Sequence, residues 1–289
     1  MQADLRTAGI GPVIARFTGG PSGETVQSFV AEAESAFLGE CDFAAEAAHQ
    51  RRFGELFAND PAIVVPAVVD EFSSPSVLTS QWCAGRSLDA FLASSPSRAE
   101  RDRIGVALFR FYIGTLYRHG VFHADPHPGN YAFRDDGRIV VYDFGCVRAF
   151  DRDTVRSFAR LVRAVREDRR ERIAGALVEL GGAAPPPDDE RAWSITRTLL
   201  RDFFAPLLSP GERAIEISAS RREMSEVMRD KRALARLALP GRLLFLFRLR
   251  FGLYAVLARL GAVADWSRLE SDWSEEVLCA DSVQPAQSP

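Results

Sequence analysis

Two β-forming runs, Tyr131–Phe133 and Arg138–Asp143, are joined by Arg134-Asp135-Asp136-Gly137. Asp-Gly is the favoured pair of a two-residue type I′ hairpin turn, so the segment predicts a short antiparallel ribbon. That ribbon carries Asn130 at its entrance and Asp143 at its exit. Two rigid strands thereby set the separation of an amide and a carboxylate. Directly upstream runs His123-Ala124-Asp125-Pro126-His127-Pro128-Gly129, and directly downstream Phe144-Gly145.

The octet His123 to Asn130 and the later Asp143-Phe144-Gly145 reproduce H-x-D-x-x-x-x-N and D-F-G, the catalytic loop and metal-binding turn of kinase-like phosphotransferases. Asp125 can orient an attacking hydroxyl or water and take its proton. Asn130 and Asp143 offer hard oxygen ligands for Mg²⁺ bridging nucleotide phosphates. Order, spacing and the intervening turn carry the signal jointly, because a lone Asp-Phe-Gly carries none. His123 is expected to be structural, its ring bonding backbone near the Asp-Phe-Gly turn. His127 is expected either to cap the loop or to act in it, and Gly129 to serve backbone geometry, for instance a positive φ. A helix starts at Asp151-Arg152-Asp153, soon after Gly145, leaving no platform for a peptide substrate. A small molecule, a lipid or water is the expected acceptor.

Apolar residues at Val26, Phe29, Val30, Phe37, Phe43, Ala47 and Phe53 predict one long or once-broken amphipathic helix over 24–57. Two strands are expected at 62–69 and 76–82, with Pro66 marking an edge or a strand start. Ser87 is the expected N-cap of 88–92, and Gly120 the C-cap of a helix over 99–119. Further helices are expected at 153–165, 169–180, 192–204, 214–239 and 242–260, and a disordered tail over 279–289.

Composition limits the function classes. With 47% apolar and 26% charged residues the chain is ordinary globular material, and a net charge of −3 argues against a general grip on nucleic acid. The longest uncharged run, Phe72 to Gly85, is Ser-rich and too short for a bilayer span. Arg248, Arg250 and Arg259 favour a core helix over a membrane-surface one at 242–260. No secretory signal is read at position 1. Cys41, Cys83, Cys146 and Cys279 form no C-x-x-C pair, which argues against zinc and disulfides and makes a reducing cytosol the default. The only lysine among the 36 basic residues is Lys231.

Together these residues resemble the UbiB/AarF-type atypical kinases, the ADCK family, over Ala3 to Trp266. The sharpest matches are Glu40-Cys41-Asp42 with Glu46, then Phe53, Phe57, Asp60, Val65-Pro66, Glu71 and Val77-Leu78-Thr79, then the octet and Asp143-Phe144-Gly145. The resemblance implies an α+β protein kinase-like fold: a partial N-lobe of helix plus short strands over 1–84 and a largely α-helical C-lobe over 85–278. It implies Mg-ATP binding, with ATPase or small-molecule or lipid phosphotransferase activity supporting isoprenoid (ubiquinone) biosynthesis. Asp125 then resembles the catalytic base, with Asn130 and Asp143 as metal ligands. Glu46 resembles the helix glutamate that pairs with the ATP-binding lysine, and Glu40 and Asp42 a regulatory, inhibitory pair. Without the resemblance these three acids read as a solvated helix face. Gln81-Trp82-Cys83 resembles the hinge reached by adenine, with plain core as the other reading of Trp82. The implied partners are a nucleotide, an isoprenoid lipid or the inner face of a membrane, and quinone-biosynthesis proteins.

The family's alanine-rich nucleotide loop, V-A-V-K lysine and K-x-G-Q motif have no counterpart in the chain. Gly19-Gly20-Pro21-Ser22-Gly23 reads as a flexible loop, and Lys231 is a poor substitute for the lysine. The expectation is a truncated or late-started reading of a longer gene, since one helix and two strands leave sheet edge and apolar faces uncovered. The alternatives are an aminoglycoside- or choline-kinase-like small-molecule phosphotransferase, or a non-catalytic pseudokinase that binds a lipid or partner protein.

Overall fold

Helix α1, Phe43–Leu56, opens at Asp42, whose carboxylate accepts from the Ala45 N–H at 2.9 Å. The computed structural model describes residues 42–216 and 241–280, without the side chains of 241–244. Glu40, Lys231, the Gly19–Gly23 loop, the start of the expected 24–57 helix, most of 214–239 and the tail beyond 280 lie outside them.

The expected strands after α1 are largely irregular. Only Ile63–Val64 (β1) forms a strand, because Pro66 has no N–H with which to continue a ladder. Past it the two runs stay antiparallel through the Val68–Ser80 bridge, with Val69 N–H donating to Thr79 O and Gln81 N–H to Ala67 O, each at 2.8 Å. Buried Gln50 of α1 donates to Pro66 O at 2.6 Å and to Ser80 Oγ at 2.9 Å, so one side chain grips both runs.

Helix α2, Leu88–Ala93, is capped by Ser87 as expected. Helix α3, Arg98–Phe109, begins one residue after Ser97, which forms a capping box with Glu100. It passes through a π-turn, Arg110–Gly114, into α4, Thr115–His119, and ends at Gly120 with φ +64°. The π-turn lets Arg110 reach Asp60 at 2.7 Å, and Asp60 also accepts from the Ala62 and Ile63 N–H groups. This half-buried pair ties the strand segment to the helical body.

Strand β2, Val121–His123, pairs antiparallel with β5, Val147–Ala149. The predicted ribbon forms between β3, Tyr131–Phe133, and β4, Ile139–Val141, while β1 lies parallel to β4 on its other edge. The turn is not type I′. Asp136 keeps a negative φ, Gly137 takes +81°, Gly137 N–H donates to Arg134 O, and Arg134 N–H donates to Arg138 O. These bonds define a three-residue loop with glycine in the left-handed position.

The rest is helical: α5, Arg152–Arg166, capped by Asp151; α6, Arg170–Glu179; α7, Glu190–Phe203; and α8, Gly241–Leu260. Helix α8 is a core helix, burying Leu246, Leu249, Leu253, Leu257 and Leu260 completely. Arg213–Ala214 (β6) does not start a helix but pairs with Val263–Ala264 (β7). Helix α9, Trp266–Cys279, follows and was not expected from the periodicity. Among the described residues no helix is long and apolar enough to cross a membrane.

Candidate active site around the octet

Paired strands bound both functional loops at both ends. The octet leaves β2 and enters β3; the Asp-Phe-Gly turn leaves β4 and enters β5. Beyond the strands proper, Ala124 N–H donates to Cys146 O at 2.7 Å and Tyr142 N–H to Asn130 O at 2.9 Å. Asn130 is therefore a backbone neighbour of the residue preceding Asp143.

His123 joins the two loops. It is fully buried, its Nδ1 accepts from Asp125 N–H at 3.1 Å, and its Nε2 donates to Asp143 O at 2.5 Å. These partners require the neutral Nε2–H tautomer. Burial lowers the ring's pKa, against the opposing pull of the Asp143 carbonyl and of the Asp143 and Asp125 charges. The structural role expected for His123 is thus met. His127 caps the octet, its Nδ1 accepting from Gly129 N–H at 3.1 Å. Gly129 does not need a positive φ. It needs space, because a Cβ there would sit 3.0 Å from His127 Nδ1.

Asp125 is half-buried, and both of its carboxylate oxygens have neighbours. Asn130 Nδ2 donates to Oδ2 at 3.2 Å, and Arg248 Nη2 of α8 lies 3.2 Å from Oδ1. With its nitrogen turned to Asp125, Asn130 has its amide oxygen left as a ligand. Asp143 is exposed, and its Oδ1 accepts from Gly145 N–H at 2.9 Å, so Oδ2 stays open. Among the described residues neither hard oxygen has a competing partner, which suits Mg²⁺, an ion that keeps most of its shell as water and phosphate. Among the described residues no three His, Cys, Asp or Glu side chains gather as a complete protein cage.

Glu46 reaches this turn from α1, its Oε1 accepting from Phe144 N–H at 3.3 Å. Burial raises its carboxyl pKa, the Phe144 bond opposes the rise, and the Asp143 charge adds to it. Asp42 serves as helix cap. Fully buried Phe144 packs on Phe53 of α1 at 5.3 Å and on the His123 ring at 5.9 Å, locking helix, octet and turn together.

In the Gln81-Trp82-Cys83 segment, Tyr142 O–H donates to Cys83 O at 2.7 Å. Gly85 lies so close to the ribbon that a Cβ would meet that of Ala132 at 2.7 Å. Trp82 is 87% exposed, which rules out the plain-core reading.

Sequence reasoning missed two neighbours. His49 stands one turn beyond Glu46, beside the Phe144 backbone, and burial lowers its pKa. Its spacing of three from Glu46 was the available signal. Arg248 left no signal, since nothing local links α8 to Asp125. A cavity of about 430 Å³ lined by Tyr117, His119, Arg152 and Glu276 lies apart and shares none of these residues.

The ABC1 atypical kinase-like domain model matches residues 2–177. The chain is 31% identical over 198 residues to the chloroplastic protein ACTIVITY OF BC1 COMPLEX KINASE 8 of Arabidopsis thaliana, covering 68% of this chain and 25% of that protein. It is 31% identical over 162 residues to the mitochondrial atypical kinase COQ8 of Schizosaccharomyces pombe, covering 56% of this chain and 26% of that protein. It thus spans about a quarter of the length of these curated relatives. The solved Rv3197–erythromycin complex from Mycobacterium tuberculosis shares the fold, with a TM-score of 0.63 at 24% identity over 88% of this chain and 62% of that one. With its kinase-like fold, its octet and its Asp-Phe-Gly turn, this chain belongs to the ABC1 atypical kinase-like family.

Proposed function

We propose that the chain carries the catalytic half of a Mg-ATP-dependent ATPase or small-molecule or lipid phosphotransferase that supports isoprenoid quinone biosynthesis, working at a membrane surface. One observation carries this reading: a buried neutral His123 bonds the backbone of both Asp125 and Asp143, so base and metal-ligand loops move as one unit. The kinase COQ8 of Schizosaccharomyces pombe, a relative, supports the kinase part.

Asp125 orients a hydroxyl or water and accepts its proton as the new O–P bond forms and the β–γ bridging bond breaks. Asn130 Oδ1 and Asp143 Oδ2 would hold Mg²⁺, which when bound neutralises charge on the nucleotide phosphates. Asn130 also steadies the base through its Nδ2 bond to Asp125. Glu46 positions the turn through the Phe144 N–H. The Gln81–Cys83 segment is the proposed adenine hinge, with Asp42 and Glu40 as the proposed regulatory pair.

Calorimetric titration of the full chain with Mg-ATP, beside phosphate release, tests the proposal. Asp143→Asn should abolish Mg-dependent binding without lowering the melting temperature, because Asp143 is exposed. Unchanged binding in that variant would remove the metal role. Binding without turnover would favour the pseudokinase reading, for which the occupied state of both Asp125 oxygens speaks.

A further inference from the structure

The octet has no cation of its own beside the base. Between Asp125 and Asn130 stand only Pro126, His127, Pro128 and Gly129. A phosphoryl group brought up to Asp125 therefore meets a carboxylate of like charge, with nothing from the loop to offset the repulsion. Helix α8 supplies the missing charge. Phe245, Arg248 and Gly252 follow one another at spacings of three and four, which places them on one helix face.

Each of the three touches the site. Gly252 abuts the octet, where a Cβ would meet Pro126 Cγ at 2.6 Å, so only glycine lets the helix approach this closely. Arg248 then reaches Asp125 Oδ1 at 3.2 Å. Phe245 carries the guanidinium of Arg148, from β5, over its ring at 4.5 Å. Arg148 sits on β5, the strand that the Asp-Phe-Gly turn enters, so Phe245 links that strand to the helix face that carries Arg248.

Arg248 is not a structural pillar. Its side chain is 59% exposed, and among the described residues the Asp125 ion pair is its one close polar contact. Among the described residues its guanidinium makes no other polar contact, which leaves on offer the planar fork that matches two phosphate oxygens.

We infer that Arg248, with Arg148 behind it, is a phosphate-binding residue that docks a phosphoryl group against Asp125. The inference deepens the phosphotransfer reading and rests on it. The phosphate has two possible sources, the terminal phosphate of the nucleotide or a phosphate borne by the acceptor.

The test titrates the full chain and its Arg248→Gln and Arg248→Lys variants with Mg-ADP, a non-hydrolysable Mg-triphosphate analogue, glycerol 3-phosphate and glycerol. Arg248→Gln should weaken one phosphate probe by about tenfold or more, the range of a lost charge-assisted hydrogen bond, and leave Mg-ADP unchanged. Loss confined to the triphosphate assigns the site to the nucleotide; loss confined to glycerol 3-phosphate assigns it to the acceptor. Should Arg248→Gln melt early, Arg248→Lys carries the test, with a loss of about threefold in the same probe because charge stays while the fork goes. Wild-type affinity for both phosphate probes in a folded variant overturns the inference. A chain that binds glycerol 3-phosphate through Arg248 but takes no Mg-nucleotide keeps this site and loses the nucleotide reading. A chain that takes the Mg-triphosphate equally well with and without Arg248, and does not bind glycerol 3-phosphate, keeps the nucleotide and loses the site.

Discussion

The ring of His123 is bonded to the Asp143 carbonyl at 2.5 Å, across the gap between the octet and the Asp-Phe-Gly turn. Strand pairing brings the loops side by side, and the ring fixes their spacing. The other ring nitrogen is committed to Asp125 N–H, so the group works only when neutral.

His123→Leu should cost about 1–3 kcal/mol, because the fully buried ring's bonds to Asp125 N–H and Asp143 C=O are lost together. The ring's pKa is lowered in the folded state, so the unfolded chain binds more protons as pH falls. The histidine contribution is therefore fully present above pH 6.5, the ordinary value, and erodes as pH drops below it. His49 and His119, lowered by burial too, act in the same direction. Urea melts across this range should show stability declining with acid, with a shallower decline in His123→Leu; an identical slope would show that the fold does not hold His123 neutral.

Gly252→Ala separates helix propensity from packing. In a free helix the change favours folding by about 1 kcal/mol. Here the added methyl lands 2.6 Å from Pro126 Cγ, and overpacking costs about 1–3 kcal/mol. A net loss in melting temperature with a fall in phosphate release is expected, since α8 and the octet must separate. A gain in stability would show that the contact is soft.

Removing Glu270 should be the costliest of these changes. Arg250 and Glu270 are both fully buried; Tyr117 O–H donates to Glu270 Oε1 at 2.6 Å, and Arg250 donates to Tyr254 Oη at 2.8 Å among the rings of Phe158, Phe203 and Phe204. Burial lowers the Arg250 pKa, but the Glu270 charge and hydrogen bond, with Tyr254 and Tyr117, together outweigh it and raise the net value. Glu270→Leu leaves the guanidinium unpaired, with an expected loss of about 3–5 kcal/mol. The double variant Arg250→Met/Glu270→Leu should recover much of it. Chemical denaturation of the four species gives the coupling, and simple additivity is the result that contradicts the pair.

Glu46→Ala and Glu46→Gln should differ. Alanine leaves Phe144 N–H without its acceptor, at about 1–3 kcal/mol, while glutamine keeps an oxygen there. The raised carboxyl pKa means that the ionised form opposes folding, so the wild type gains relative to Glu46→Gln as pH falls through the raised value. Matching melting curves for the two variants at neutral pH would show that the bond contributes nothing.

Much of this molecule was legible in the linear chain because the responsible interactions are local. The octet, the ribbon, the Asp-Phe-Gly turn and the caps at Ser87 and Gly120 all act within a few residues. Spacing along the backbone becomes spacing in space when a strand or a helical turn intervenes. The extent of the strands near Pro66, the hairpin type and the exposure of Trp82 were decided by how segments met. Arg248 beside Asp125, Arg250 inside a cage of phenylalanine rings and Glu46 against Phe144 join distant parts of the chain. Such pairs leave no periodic trace, because burial and charge compensation are properties of packed faces, and only the folded arrangement selects which faces pack.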